Sequence, residues 1–176
     1  MRKLKNEELG RKSVEEFRTG KKLPIVVVLD DVRSMHNIGS VFRTSDGFMV
    51  EKILLCGITA QPPHREITKT ALGATESVEW KYYQNVLDAI NELKNEAYKI
   101  VCIEQAEGSI DLADFIPEED TKYAVVFGNE VNGVSQAVVD VCDYCLEIPQ
   151  FGTKHSFNIS VTAGIVLYAL SGKMKQ

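Results

Sequence analysis

Three short stretches of the chain carry more hydrogen-bonding groups than their local structure requires. They are NIGSVFR (Asn37 to Arg43), FGNEVNGVS (Phe127 to Ser135) and IPQFGTKHSFNIS (Ile148 to Ser160). Asn37 follows an apolar run and can cap the helix behind it, because a side-chain oxygen accepts from the free N–H groups of a first turn. Gly39 permits close approach of another backbone. Arg43 lies further along on an otherwise apolar face and, taken alone, is a surface arginine. The Gly128 to Gly133 segment is a polar turn at a strand's carboxyl end, with backbone N–H groups free to meet a ligand. Read in isolation, it is equally a plain turn into a helix. In the third stretch Pro149 removes a donor and Gly152 loosens the chain. Ser156, Asn158 and Ser160 then crowd one helix start. A helix needs one cap, so the surplus implies a second job.

Several chemistries are disfavoured by what is missing. Gly128 and Gly133 have the G-x-x-x-x-G spacing of a phosphate loop, but Val134 stands where the lysine of that loop belongs. No G-x-G-x-x-G occurs, which disfavours a dinucleotide site. Cys142 and Cys145 form a lone C-x-x-C inside DVCDYCLEIP, which reads as the entry to a strand; a zinc site would require two further ligands. Cys56 and Cys102 sit in apolar runs, so all four cysteines read as structural. The three histidines form no ligand set, and no metal is expected.

The elements that must position these groups alternate. PIVVVL (24–29), KILLC (52–56), YKIVCIE (98–104), KYAVVFG (122–128) and YCLEIP (144–149) read as buried strands. Helical patterns cover 38–48, 85–97 and 157–170. Alternation of this kind predicts an α/β fold, a parallel sheet with helices on both faces, whose ligands bind at the carboxyl ends of the strands. Residues 59–76 form the longest irregular stretch, and long loops in compact domains are often functional. There is no internal repeat and no Pro/Gly linker.

The chain has 176 residues, 44% of them apolar and 26% charged, as in one ordinary globular domain. No apolar run approaches the ~18–20 residues of a membrane span. The first residues lack the apolar core of a signal peptide, so the cytoplasm is the expected compartment. The net charge of −5 argues mildly against a general nucleic-acid binder, but it is unevenly spread. Residues 1–22 form a basic N-terminal arm with eight basic and four acidic side chains, ahead of a domain over 23–176. From Glu104 to Asp120 there are seven acidic residues and no basic one. A polyanion would touch the arm and avoid that loop. Charge alone reads the arm as a solubilising helix face.

Each motif is weak alone; their order is specific. N-x-G-x-x-x-R after the first strand, F-G-N-E-x-x-G after a late one and I-P-x-x-G-x-x-x-S-F-N-I-S opening the last helix resemble the three motifs of the SpoU (TrmH-like) RNA 2′-O-ribose methyltransferases, in the SPOUT superfamily. The resemblance runs from about Pro24 to Leu170. The chain departs at Phe48-Met49, where the family often has Gly after the Phe, and at Phe157-Asn158-Ile159, where it often has Leu-Asn-Val. Neither change removes a polar group.

The resemblance implies a C-terminal deep trefoil knot, which topology rules alone would exclude. It implies S-adenosyl-L-methionine held bent, at Gly128, Ile148 and Phe157, with Ile103 and Glu104 flanking the adenosine. It implies a homodimer packed through helices near that site. Arg43 would act at the ribose hydroxyl, Asn37 would position Arg43 or the ribose, and Glu130 would orient either one. Ser156 and Asn158 would complete a polar floor. A guanidinium stays protonated, so Arg43 is cast as a clamp on the adjacent phosphate and on developing alkoxide charge. RNA, tRNA or rRNA, would be contacted by Arg65 and Lys69 in the 59–76 loop and secondarily by the basic arm, since about 22 residues are too few for a further domain of ~50. The rival reading is a non-catalytic knotted RNA-binding or assembly protein. Such a protein would lack one of the central polar residues, and this chain keeps them all.

Overall fold

The computed structural model describes residues 1–174. After a 3-10 turn at Asn6–Leu9, the elements run α1 (Val14–Thr19), β1 (Leu23–Asp30), α2 (Met35–Gly47), β2 (Val50–Cys56), α3 (Arg65–Ala71), α4 (Ala74–Ser77) and β3 (Glu79–Tyr83). They continue α5 (Val86–Asn95), β4 (Tyr98–Ile103), β5 (Ile110–Asp111), β6 (Lys122–Phe127), α6 (Gln136–Val139), β7 (Tyr144–Glu147) and α7 (Ile159–Met174). The strands form one sheet in the order β3-β2-β1-β6-β4-β7-β5, and every pairing is parallel.

The central strands are apolar throughout because both faces are covered. On β1, Ile25, Val27 and Leu29 join one core with Phe42, Val41, Ile67 and Leu167. Val26 and Val28 point the other way, toward Ala89, Ile90 and Leu93 of α5. Each fully buried Val, Leu or Phe contributes about 1.5–3 kcal/mol, so the two cores anchor the sheet from both sides.

The strands read from apolar runs are all present. Two others were not expected. β3, EWKYY, is an edge strand with no apolar run, and β5 has only two residues. The stretch 59–76, read as irregular, holds α3 and α4. His64 Nδ1 caps α3, accepting from the Glu66 N–H at 3.2 Å. Arg65 and Lys69 therefore lie four residues apart on one helix face, not on a loop. Helix α2 also begins before the expected 38. Ser34 is its cap and accepts from the Asn37 N–H at 3.3 Å, so Asn37 sits inside the first turn rather than capping it.

The basic arm is partly docked. Phe17 of α1 is buried, Lys22 stands 3.3 Å over its ring, and Arg18 donates to the Glu76 carbonyl at 3.0 Å through Nε. The closing helix α7 buries Ile159, Ala163, Val166, Leu167 and Leu170 but exposes Val161, Ile165 and Tyr168 along one stripe. At its far end Lys173 Nζ donates to the carbonyls of Leu112, Ala113 and Phe115 at 3.0, 2.7 and 2.7 Å, which fastens the helix to the turn after β5. Among the described residues no helix is long and apolar enough to cross a membrane.

Candidate functional site

A cleft of about 1010 Å³ opens at the carboxyl ends of β4, β6 and β7. One wall is the turn after β6, another the segment after β4, and the third the 148–158 loop leading into α7. The sequence elements far apart in the chain meet here because a parallel sheet lines up the ends of its strands.

The turn after β6 closes on itself. The Asn129 N–H donates to the Gly133 carbonyl and the Gly133 N–H donates back to the Asn129 carbonyl, both at 2.9 Å. The Asn129 side-chain oxygen accepts from the N–H groups of Val131 and Asn132, and its Nδ2 donates to the Asp31 carbonyl at 2.7 Å. Two glycines make this possible. A Cβ on Gly128 would lie 2.1–2.2 Å from backbone atoms of Gly133 and Val134. Gly133 has φ +67°, and a Cβ there would lie 2.0 Å from Glu104 Oε2. The Glu104 carboxylate is held by the N–H groups of Gln105 at 2.8 Å and Val134 at 2.9 Å. It ties the end of β4 to the turn after β6.

Glu130 is the hub between the first two motifs. Its Oε2 accepts from the Arg33 N–H at 2.9 Å, and its Oε1 from the Ser34 N–H at 2.9 Å and Asn37 Nδ2 at 3.0 Å. Partial burial alone would raise its pKa, but the Arg33, Ser34 and Asn37 donors outweigh it and hold the carboxyl below the usual glutamate range. A carboxylate so stabilised is a weak base, so its role is to pin the start of α2. Asn37 Oδ1 in turn accepts from Asn158 Nδ2 at 3.1 Å. Asn158 Oδ1 accepts from the Ser160 N–H at 2.9 Å, capping α7, and from Ser160 Oγ at 2.6 Å. One polar chain thus joins all three motifs, Glu130 to Asn37 to Asn158 to Ser160, and it explains most of the polar surplus before α7.

The pinned carboxylate gives a pH prediction. Its folded pKa is depressed, so the unfolded chain binds the extra proton in acid. The stabilisation is complete above about pH 4.3, the ordinary glutamate value, and is lost as the pH falls through the lower folded value. Thermal melts of wild type and Glu130→Gln from pH 7 to 3 should show the wild-type advantage shrinking toward acid. A constant gap would contradict the pinning.

Ile103, Glu104, Gly128, Glu130, Ile148, Ser156, Phe157 and Asn158 all line the cleft. Ser156 has no hydrogen-bond partner among the described residues. Asn37 is half-buried behind Glu130. Arg43 is not brought in. It is exposed on α2, six residues beyond Asn37 and so about 9 Å along the helix axis, and it does not line the cleft. Glu130 therefore orients Asn37 and not Arg43. Arg65 and Lys69 are exposed on α3, which packs so tightly on α2 that a Cβ on Gly39 would lie 2.1 Å from Thr70 Oγ1. Sequence reasoning missed Gln105, whose Nε2 reaches the His155 carbonyl at 2.7 Å and ties the 148–158 loop across the cleft mouth.

The cysteines stand apart from this chemistry. Burial, with Asp30 and Asp31 nearby, pushes the Cys56 thiol up to about 12. Burial also raises Cys102, whose sulfur is 3.3 Å from that of Cys142, and Cys145. Protonated thiols are poor nucleophiles. Among the described residues no group of three or more His, Cys, Asp or Glu could hold a metal ion.

The model of the SpoU rRNA methylase family matches residues 24–168. A Staphylococcus haemolyticus (strain JCSC1435) protein assigned to the TrmH family of tRNA/rRNA methyltransferases is 32% identical over 154 residues, which cover 88% of this chain and 61% of that protein. The chain thus spans about three fifths of that relative's length. Among solved structures, an AdoMet-bound rRNA methyltransferase from Sinorhizobium meliloti superposes with a TM-score of 0.78 at 26% identity, covering 85% of this chain and 56% of that one. The A. aeolicus TrmH/SpoU tRNA modifying enzyme superposes with a TM-score of 0.79 at 25% identity, covering 91% and 79%.

Proposed function

Because the chain belongs to the SpoU rRNA methylase family, we propose that it transfers a methyl group from S-adenosyl-L-methionine to a ribose 2′-hydroxyl of tRNA or rRNA, as a cytoplasmic homodimer. The observation that carries this reading is the hydrogen-bonded chain from Glu130 through Asn37 to Asn158, which joins three motifs at one cleft.

The cleft suits the cofactor. Ile103, Ile148 and Phe157 offer apolar surface for a purine, and the strand ends offer backbone donors and acceptors. Glu107 and Glu147 line the cleft and give it the sign that a sulfonium and an ammonium require. When bound, the cofactor supplies an activated methyl group on a cationic sulfur. The chain's own residues then orient the hydroxyl. Ser156 and Asn158 offer polar contacts to the ribose, and Asn37, fixed by Glu130, holds Asn158 in register.

Arg43 would clamp the phosphate beside the target ribose and stabilise alkoxide character there. Its position outside its own cleft supports a division of labour in which Arg43 serves the cleft of the neighbouring copy. The exposed Val161, Ile165 and Tyr168 stripe of α7, the helix packed against α2, supports a subunit contact beside Arg43. The knot of the proposed fold would be closed by α7, whose Lys173 clasp on the turn after β5 is consistent with a threaded C-terminus. Arg65 and Lys69, exposed on the helix next to α2, would meet phosphates further along the RNA.

Calorimetry tests the reading. S-adenosyl-L-methionine should bind and ATP should not. Failure of the cofactor to bind at millimolar concentration would remove the methyl-transfer reading, and tight ATP binding would favour a nucleotide-hydrolysing one.

A further inference from the structure

Phe151 is 97% exposed, although it is a large aromatic on the loop that forms one wall of the cleft. The flanking Gln150 lines the cleft, as do His155 and Ser156 beyond it. Lys154 and His155 are exposed beside it. From Ile148 to Gln176 the sequence contains no Asp or Glu. The segment after β4 brings Glu104 and Glu107 to the cleft, and Glu147, the last residue of β7, also lines it. The carboxylates lining the cleft suit a cationic cofactor, while the loop from Phe151 to Ser156, a lip which carries Lys154 and no carboxylate, suits a polyanion. The lip carries an aromatic ring almost fully open to solvent, more exposed than Phe157 within the cleft.

We propose that the Phe151 lip is a substrate-recognition site on which an unpaired nucleobase of the RNA stacks, with Lys154 holding an adjacent phosphate. The inference rests on the methyl-transfer reading, and it names how that site takes its RNA. Stacking on an aromatic face is strong and tolerant of base identity, because every base has a π-face. It also demands a base outside a duplex, which selects single-stranded or looped RNA. The Gln105 to His155 bond gives the lip a fixed seat against the end of β4.

The test uses the full chain and a mixed-sequence single-stranded oligoribonucleotide, with cofactor affinity measured separately by calorimetry. Phe151→Ala should weaken oligonucleotide binding about ten-fold or more, by the loss of one stacked base, while cofactor affinity changes less than about two-fold. Phe151→Trp should retain binding, and its emission should be quenched by RNA; Trp80 is the only native tryptophan. Phe151→Leu should bind as poorly as the alanine variant. Lys154→Ala should reduce the slope of log affinity against log salt by about one. Unchanged RNA affinity in Phe151→Ala would overturn the proposal. So would full recovery by leucine, which indicates plain apolar packing. A shift of Phe151→Ala from dimer to monomer in sedimentation would assign the ring to a subunit contact instead. If wild type fails to bind the cofactor, the methyl-transfer reading falls, while the oligonucleotide series still decides the lip.

Discussion

Gly128→Ala is expected to weaken S-adenosyl-L-methionine binding about 100-fold while leaving the sheet folded. The added Cβ would lie 2.1 Å from the Gly133 carbonyl carbon and 2.2 Å from its oxygen and from the Val134 nitrogen. These are backbone atoms, so no side-chain rotation relieves the clash. The turn must open. Its two hydrogen bonds between Asn129 and Gly133 would lengthen, and Val134 would draw away from Glu104. Losing two neutral bonds and one to a carboxylate costs about 3 kcal/mol, or roughly two decades of affinity if the cofactor requires the closed turn. Far-UV circular dichroism should stay unchanged, because Phe127 and the strand before it remain buried on both faces. Calorimetry that finds wild-type affinity would show that the turn is not part of the cofactor seat.

Arg43→Ala should leave cofactor affinity nearly intact and reduce methyl transfer about 100- to 1000-fold, the usual cost of one preorganised donor at a developing oxyanion. Arg43→Lys should recover only part, since a point charge does not reproduce a planar fork. The exposed position of Arg43, outside the cleft of its own chain, adds a sharper expectation. A hybrid dimer of one Arg43→Ala subunit and one Gly128→Ala subunit, isolated with two different tags, should show about half of wild-type activity, because in a two-fold dimer one of its two sites keeps both groups. If Arg43 served its own cleft, both sites of the hybrid would be defective and activity would stay at the level of the parents.

What could be read from the sequence followed from burial. PIVVVL and YAVVF announce central strands because a strand covered on both faces has no polar alternation to disguise it. EWKYY did not announce β3, since an edge strand needs no apolar run. The stretch 59–76 hid α3 because that helix, REITKTA, is mostly polar and buries only Ile67 and Ala71. At the site, the residue types were legible and their wiring was not. Glu130 and Asn37 could be named from their motifs. That Glu130 also binds the Arg33 and Ser34 N–H groups, across 97 and 96 residues, depends on how β1 and β6 pair. The polar surplus before α7 resolves the same way. Asn158 is both a cap and a link to Asn37, a double use visible only once α2 and α7 are side by side.

Methyl transfer to a ribose hydroxyl is measured most directly by the chemical position of the transferred group. The purified protein, S-adenosyl-L-methionine with a labelled methyl group and total cellular RNA depleted of its own modifications should be incubated together. The RNA is then digested to nucleosides and separated by mass spectrometry. The expected result is label confined to 2′-O-methylnucleosides, incorporated at an initial rate about 100-fold or more lower in the Arg43→Ala control. Label on a base, or none on RNA although the cofactor binds, would exclude ribose methylation as the reaction of this protein.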